Sequence, residues 1–173
     1  MKALLALFVA FPAFAAGPAL PADGKDAPPS ITANPVSCFT LARTLVTGRG
    51  FNSVDHEAVS LCGGAGAPTA AVDCFKSALT TLSGHGFNSP EQAAVVLCSG
   101  AIAASVPLEC VNAARTVITG ESFTSIEQEA VLLCSGSADS AATLDCYKAA
   151  KSTIPPTGFS SQRCRRRASS RRA

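Results

Sequence analysis

The chain has 173 residues, eight cysteines, no tryptophan and a formal charge of +2. No stretch beyond residue 16 reaches the roughly 18 uninterrupted apolar residues a membrane helix needs, so the composition argues against a helical membrane protein. Eight cysteines in a small chain suit an oxidising compartment, where an even number reads as a disulfide framework.

Residues 1–16, MKALLALFVAFPAFAA, place one Lys before an apolar run and close on Ala13 and Ala15 in the A-x-A arrangement. This is the pattern of a Sec-type signal peptide, and it predicts a secreted or periplasmic protein of a bacterium. Residues 17–34 carry Pro18, Pro21, Pro28 and Pro29 without apolar periodicity and read as a flexible leader. The remaining stretch of about 130 residues suffices for one domain with small cores, for which covalent staples matter.

From residue 35 the chain repeats itself. Cys38, Cys74, Cys110 and Cys146 stand 36 residues apart, and Cys62, Cys98 and Cys134 form a second series of the same period. Self-similarity at such a period marks an array of supersecondary units, each burying its apolar face against its neighbours. The units are 35–67, 68–103, 104–140 and a shorter 141–161.

In the first half of a unit, Cys38, Phe39, Ala42, Leu45 and Val46 follow helical spacing, as do Cys110, Val111, Ala114, Val117 and Ile118. Asp73, Glu109 and Asp145 precede the cysteine in the expected first turn, where negative charge suits the helix dipole. Gly48, Gly84 and Gly120 mark the helix end. A tight link follows, GRGFNS, GHGFNS, GESFTS and TGFSS, with Phe51, Phe87, Phe123 and Phe159 plugging the turn. Ser89 before Pro90 reads as an N-cap, and Asn52 with Asp55, or Thr124 with Glu127, has capping-box spacing. The second helix carries Ala58, Val59, Leu61 and Cys62, matched by Ala94, Val95, Leu97, Cys98 and by Ala130, Val131, Leu133, Cys134. Gly64, Gly100 and Gly136 end it.

The fourth unit keeps a first helix through Leu144, Cys146, Tyr147 and Ala150, and Pro155 and Pro156 stop it. Residues 162–173 then replace the second helix with an arginine-rich tail. Arg163, Arg165, Arg166, Arg167, Arg171 and Arg172 carry the charge balance, since without these six the formal +2 becomes −4.

The fold class expected is therefore all-α, a short solenoid-like array of about four disulfide-stapled helical hairpins. In period and in helix-turn-helix units it resembles the tetratricopeptide class of solenoid. That family's tryptophan, tyrosine and proline signature is absent, so the resemblance implies architecture alone, with no peptide-binding role and no site residue.

In an antiparallel hairpin the start of the first helix lies beside the end of the second. This pairs Cys38 with Cys62, Cys74 with Cys98 and Cys110 with Cys134, leaving Cys146 for Cys164. The staggered scheme Cys62–Cys74, Cys98–Cys110 and Cys134–Cys146 is geometrically open as well, but it would orphan Cys38. Zinc is disfavoured because cysteines 24 apart match no compact finger and His56 and His85 occupy non-equivalent repeat positions. No C-x-x-C supports a redox role. No metal or cofactor is expected.

His56 lies between Asp55 and Glu57, yet adjacent helical residues diverge. With Glu91-Gln92-Ala93 and Glu127-Gln128-Glu129 at the corresponding positions, the cluster reads as an ordinary solvated first turn. Ser53, Ser89, Ser125 and Ser161 read as caps, not nucleophiles. No G-x-S-x-G, phosphate-cradling loop or H-E-x-x-H occurs, and no catalytic residue is expected.

Three readings stand for the tail: an anion-binding segment acting on phosphates, lipid headgroups or nucleic acid through charge, a passive solvated tail, or a change of reading frame after Ser161. The leading functional expectation is a non-catalytic scaffold or binding module for an unknown protein or envelope polymer. Its ligand row would be the repeat-variable residues Arg43, Leu79, Arg115 and Lys151. The rivals are a cationic protein acting on anionic surfaces through its tail, and a hydrolase with a site between repeats.

Overall fold

A computed structural model of the chain describes residues 35–65, 67, 69–119 and 125–153. The expected signal peptide and leader, the Phe123 and Phe159 turns, and the arginine tail with Cys164 lie outside them. The described residues form seven helices: α1 Pro35–Arg43, α2 Val54–Cys62, α3 Ala70–Thr81, α4 Pro90–Cys98, α5 Val106–Ala114, α6 Ile126–Cys134 and α7 Ser140–Thr153. They show no strand. The protein is a disulfide-stapled helical repeat array, with hairpins α1/α2, α3/α4 and α5/α6. The hairpins stack in two rows, α1–α3–α5–α7 and α2–α4–α6, and α7 packs on both helices of the third hairpin.

The repeat builds one core. Ala42, Ala78 and Ala114 are fully buried on the first helices, and Ala58, Ala94 and Ala130 are fully buried on the second, so the two helices of a hairpin approach closely. Leu61, Leu97 and Leu133 fill the space beside them, and burying each such side chain contributes about 2 kcal/mol. At the position after the first cysteine, Phe75, Val111 and Tyr147 are buried while Phe39 is only partly so. Val59, too, is 57% exposed where its equivalents Val95 and Val131 are buried. Both differences have one cause: among the described residues no hairpin precedes the first.

Each hairpin carries one disulfide joining the first turn of its first helix to the last turn of its second. These are Cys38–Cys62, Cys74–Cys98 and Cys110–Cys134, with Cα separations of 5.8, 5.6 and 5.6 Å. The pairing is the in-hairpin one; the staggered scheme does not occur. Cys146 is half-buried and forms no disulfide.

Several sequence expectations need correcting. Helices α1 and α5 end at Arg43 and Ala114, so Val46 and Ile118 close the core from the following turn, and Leu45 is exposed. Helix α7 begins at Ser140, earlier relative to its cysteine than the other first helices, which puts Asp145 beyond its first turn. The serine caps are as expected, the Ser53 hydroxyl accepting from the His56 N–H and Ser89 and Ser125 doing the same for Gln92 and Gln128, so the cap of α2 is Ser53 and not Asn52. Asn52 instead takes the left-handed turn position, φ 58°.

Candidate functional site

The first turns of α4 and α6, capped by Ser89 and Ser125, lie against the tip of the hairpin before them, while that of α2 meets no earlier hairpin among the described residues. There the second residue of the helix, Asp55, Glu91 or Glu127, decides how a joint is made. Glu91 reaches back 44 residues to the tip of the first hairpin and accepts from both the N–H and the hydroxyl of Thr47. Glu127 reaches the equivalent tip of the second hairpin and accepts from Ser83 N–H (3.2 Å), Ser83 Oγ (2.9 Å), Gly84 N–H (2.6 Å) and His85 N–H (3.1 Å). Asp55 pairs instead with Arg43 of its own hairpin at 2.7 Å, in solvent. The tips are glycine-rich because the next hairpin lies on them: a Cβ at Gly50 would stand 2.8 Å from Gln92 Cβ, and one at Gly86 2.7 Å from Gln128 Cβ. At the opposite ends of the second helices, Ser99 Oγ donates to Ser60 O (2.7 Å), Ser135 Oγ donates to Val96 O, and Gly136 N–H donates to Leu97 O (3.0 Å). Consecutive hairpins are thus tied at both ends by polar contacts that recur with the repeat.

Two positions in the repeat make the joints electrically different. Glu57 of α2 is fully buried beside the first joint, and its equivalent at the second joint is Ala93. Neither carboxyl oxygen of Glu57 has a hydrogen-bond partner of good geometry, although the N–H groups of Gly48 and Gly50 and the carboxyl of Glu91 are its polar neighbours. Burial first, and then the charge of Glu91, push the Glu57 carboxyl above the usual carboxylate range, against the pull of those two N–H groups. The second position is Leu79, which becomes Arg115 in the next unit. The Arg115 guanidinium pairs with Glu127 at 2.8 Å, whereas leucine can offer Glu91 nothing. Burial opposes ionisation of Glu127, but the Ser83 N–H and hydroxyl, the Gly84 N–H and the Arg115 charge outweigh it and hold that carboxyl below the usual range. Glu129, the third-unit equivalent of Glu57, is buried and accepts from the Tyr147 hydroxyl at 3.2 Å.

The expectation of a solvated first turn is therefore wrong for Glu57, Glu91 and Glu129, which are 0%, 7% and 1% exposed. A helix read alone puts them on a polar face; stacking of the neighbouring hairpin buries that face. The signal that could have found them is internal to the repeat, where a glutamate alternates with alanine at one position while leucine alternates with arginine at another. His56 is exposed and stands edge-on to the Phe51 ring at 5.4 Å. His85 is exposed, and its backbone serves the second joint, through its N–H to Glu127 and its carbonyl to Ser125 Oγ at 2.8 Å.

Of the expected ligand row, Arg43 is exposed and tied to Asp55, Leu79 is exposed, Arg115 is engaged with Glu127, and Lys151 is exposed with its ammonium donating to Thr119 Oγ1 at 2.9 Å. The anion-binding candidates Arg163, Arg165, Arg166, Arg167, Arg171 and Arg172 lie outside the described residues, as does Cys164. Among the described residues no three His, Cys, Asp or Glu side chains gather where one metal ion could be held, and no helix is long and apolar enough to cross a membrane. The chain matches no protein-family model, no curated protein and no solved structure.

Proposed function

We propose that the chain is an exported, non-catalytic helical-repeat scaffold that binds an extended or repetitive partner, a protein or an envelope polymer, by many modest contacts along one face. The observation that carries this reading is the contrast between a repeated frame and a varied surface. Glu91 and Glu127 tie successive hairpins through equivalent tips, so residues at one repeat position recur at a set interval. At one repeat position, on the first helix or just past its end, the chemistry changes from Arg43 to Leu79 to Arg115 to Lys151, and at the tips from Arg49 to His85 to Glu121. A frame of this kind presents a graded row to a long ligand better than it gathers unlike groups at one point. Export agrees with the N-terminal sequence and with three disulfides.

The test is photo-crosslinking of the full chain in the native medium or envelope fraction, with the crosslinker placed at Leu79 or Lys151 on the row, or at Val59 off it. One common partner captured from both row positions and not from Val59 supports the reading. Equal capture from all three, or none from the row, refutes it. Loss of a measured turnover on His56→Ala or His85→Ala, with the fold intact, would favour an enzyme instead.

A further inference from the structure

The two joints share one design, yet one holds two buried carboxyl groups with no cation beside them and the other holds one carboxylate paired with arginine. At the first joint the Thr47 N–H and hydroxyl both donate to Glu91, while the Gly48 and Gly50 N–H groups beside Glu57 make no hydrogen bond of good geometry to it. This fixes Glu91 as the acceptor and leaves Glu57 to supply its own hydrogen. The other charged groups on the surrounding elements are Arg43 on α1, Arg49 in the turn, Asp55 and His56 on α2, and Asp73 and Lys76 on α3. All of them are exposed. Arg43 is engaged with Asp55, and Lys76 pairs with Asp73 at 3.5 Å. Glu91, on α4, is the charge that acts on Glu57.

We propose that the joint between the first and second hairpins is a proton-dependent latch, closed while Glu57 is protonated beside the Glu91 carboxylate and loosened when Glu57 gives that proton to water. Two carboxylates in contact inside a protein repel strongly and each loses its hydration, so the deprotonated pair is relieved only by separation or by water entry. The raised affinity of Glu57 for its proton in the folded state fits this arrangement. Its sign is definite: the folded joint binds the proton more tightly than the open one, so closure is favoured at acid pH and weakens as pH rises above the ordinary carboxylate range. The second joint has the opposite sense, because Glu127 is stabilised as the anion. The first hairpin can therefore loosen from an array whose second joint stays closed, its own disulfide keeping it intact.

Amide hydrogen exchange of the disulfide-intact full chain tests this, with rates corrected for the intrinsic pH dependence of exchange. The Thr47 amide, bonded to Glu91, reports the first joint, and the Gly84 amide, bonded to Glu127, reports the second. Protection of Thr47 is expected to fall as pH rises through and beyond the carboxylate range, while that of Gly84 holds. Glu57→Gln, neutral at every pH, should make the Thr47 profile flat. The double change Ala93→Glu with Arg115→Leu should give Gly84 the pH dependence that Thr47 loses. A Thr47 profile that is the same in wild type and Glu57→Gln overturns the latch. Should Glu57→Gln not fold, carbon-13 titration of the Glu57 carboxyl in the wild-type chain decides, since titration in the ordinary range would overturn it and titration above that range supports it.

Discussion

Gly84 shows how tightly single residues are specified at the tips. Its φ of +81° is a conformation that L side chains rarely adopt, and a Cβ there would stand 2.5 Å from the Pro90 backbone nitrogen. Gly84→Ala should therefore cost more than the roughly 1–2 kcal/mol of left-handed strain alone, read as a lower urea midpoint; an unchanged midpoint would mean that the tip is not packed as described. Glu127 makes the complementary point about charge. Because its carboxyl is held below the usual range, the stability it contributes is fully present above the ordinary carboxylate pKa and is lost as pH falls through the lowered value. Glu127→Gln should flatten the acid limb of the stability profile, measured by urea unfolding at a series of pH values. An acid limb as steep as that of wild type would assign the effect to another group.

At the scale of helices, the second element of every described hairpin is only nine residues long. Such helices are marginal in isolation, so their persistence rests on pairing and on the staple across each hairpin. Removing the central bridge by Cys74→Ala with Cys98→Ala should lower stability by about 3 kcal/mol in the chain-entropy account of a loop of this size. Both sulfurs belong to fully buried residues, and the cavity left behind adds to the loss. Calorimetry or urea unfolding of the double variant checks this, and a loss well under 1 kcal/mol would show that pairing of α3 with α4 suffices without the bridge.

For the whole molecule, the consequence of equivalent joints is that units should be interchangeable. Deleting residues 68–103 removes one period and brings the third unit onto the first. Glu127 then faces Thr47 in place of Glu91, and Gln128 covers Gly50 in place of Gln92. The shortened chain is expected to stay helical by circular dichroism and to unfold cooperatively at lower denaturant, as nearest-neighbour stacking requires. It should also bind the partner of the intact array more weakly, and not lose binding altogether. A deletion product that is unfolded or aggregated would show that the joints are not equivalent.

The all-α class and the stapled hairpin repeat were legible in the sequence because they rest on local patterns that the chain states several times. Helical spacing of Leu61, Leu97 and Leu133, serines before the second helices and glycines at the ends need no knowledge of neighbours. Of the cysteine pairing, sequence offered two schemes, and the antiparallel packing of each hairpin decided for the in-hairpin one. What tertiary structure alone decided is the fate of the glutamates. Glu57, Glu91 and Glu129 have the helical position and composition of a solvated turn, and only their neighbours in the stack, the second hairpin for Glu57, the tip of the first for Glu91 and α7 for Glu129, take their water away. Burial is a property of the stack, and so is the difference between Glu57 beside Glu91 and Glu127 beside Arg115, since each pair joins residues whose distance along the chain says nothing about their contact.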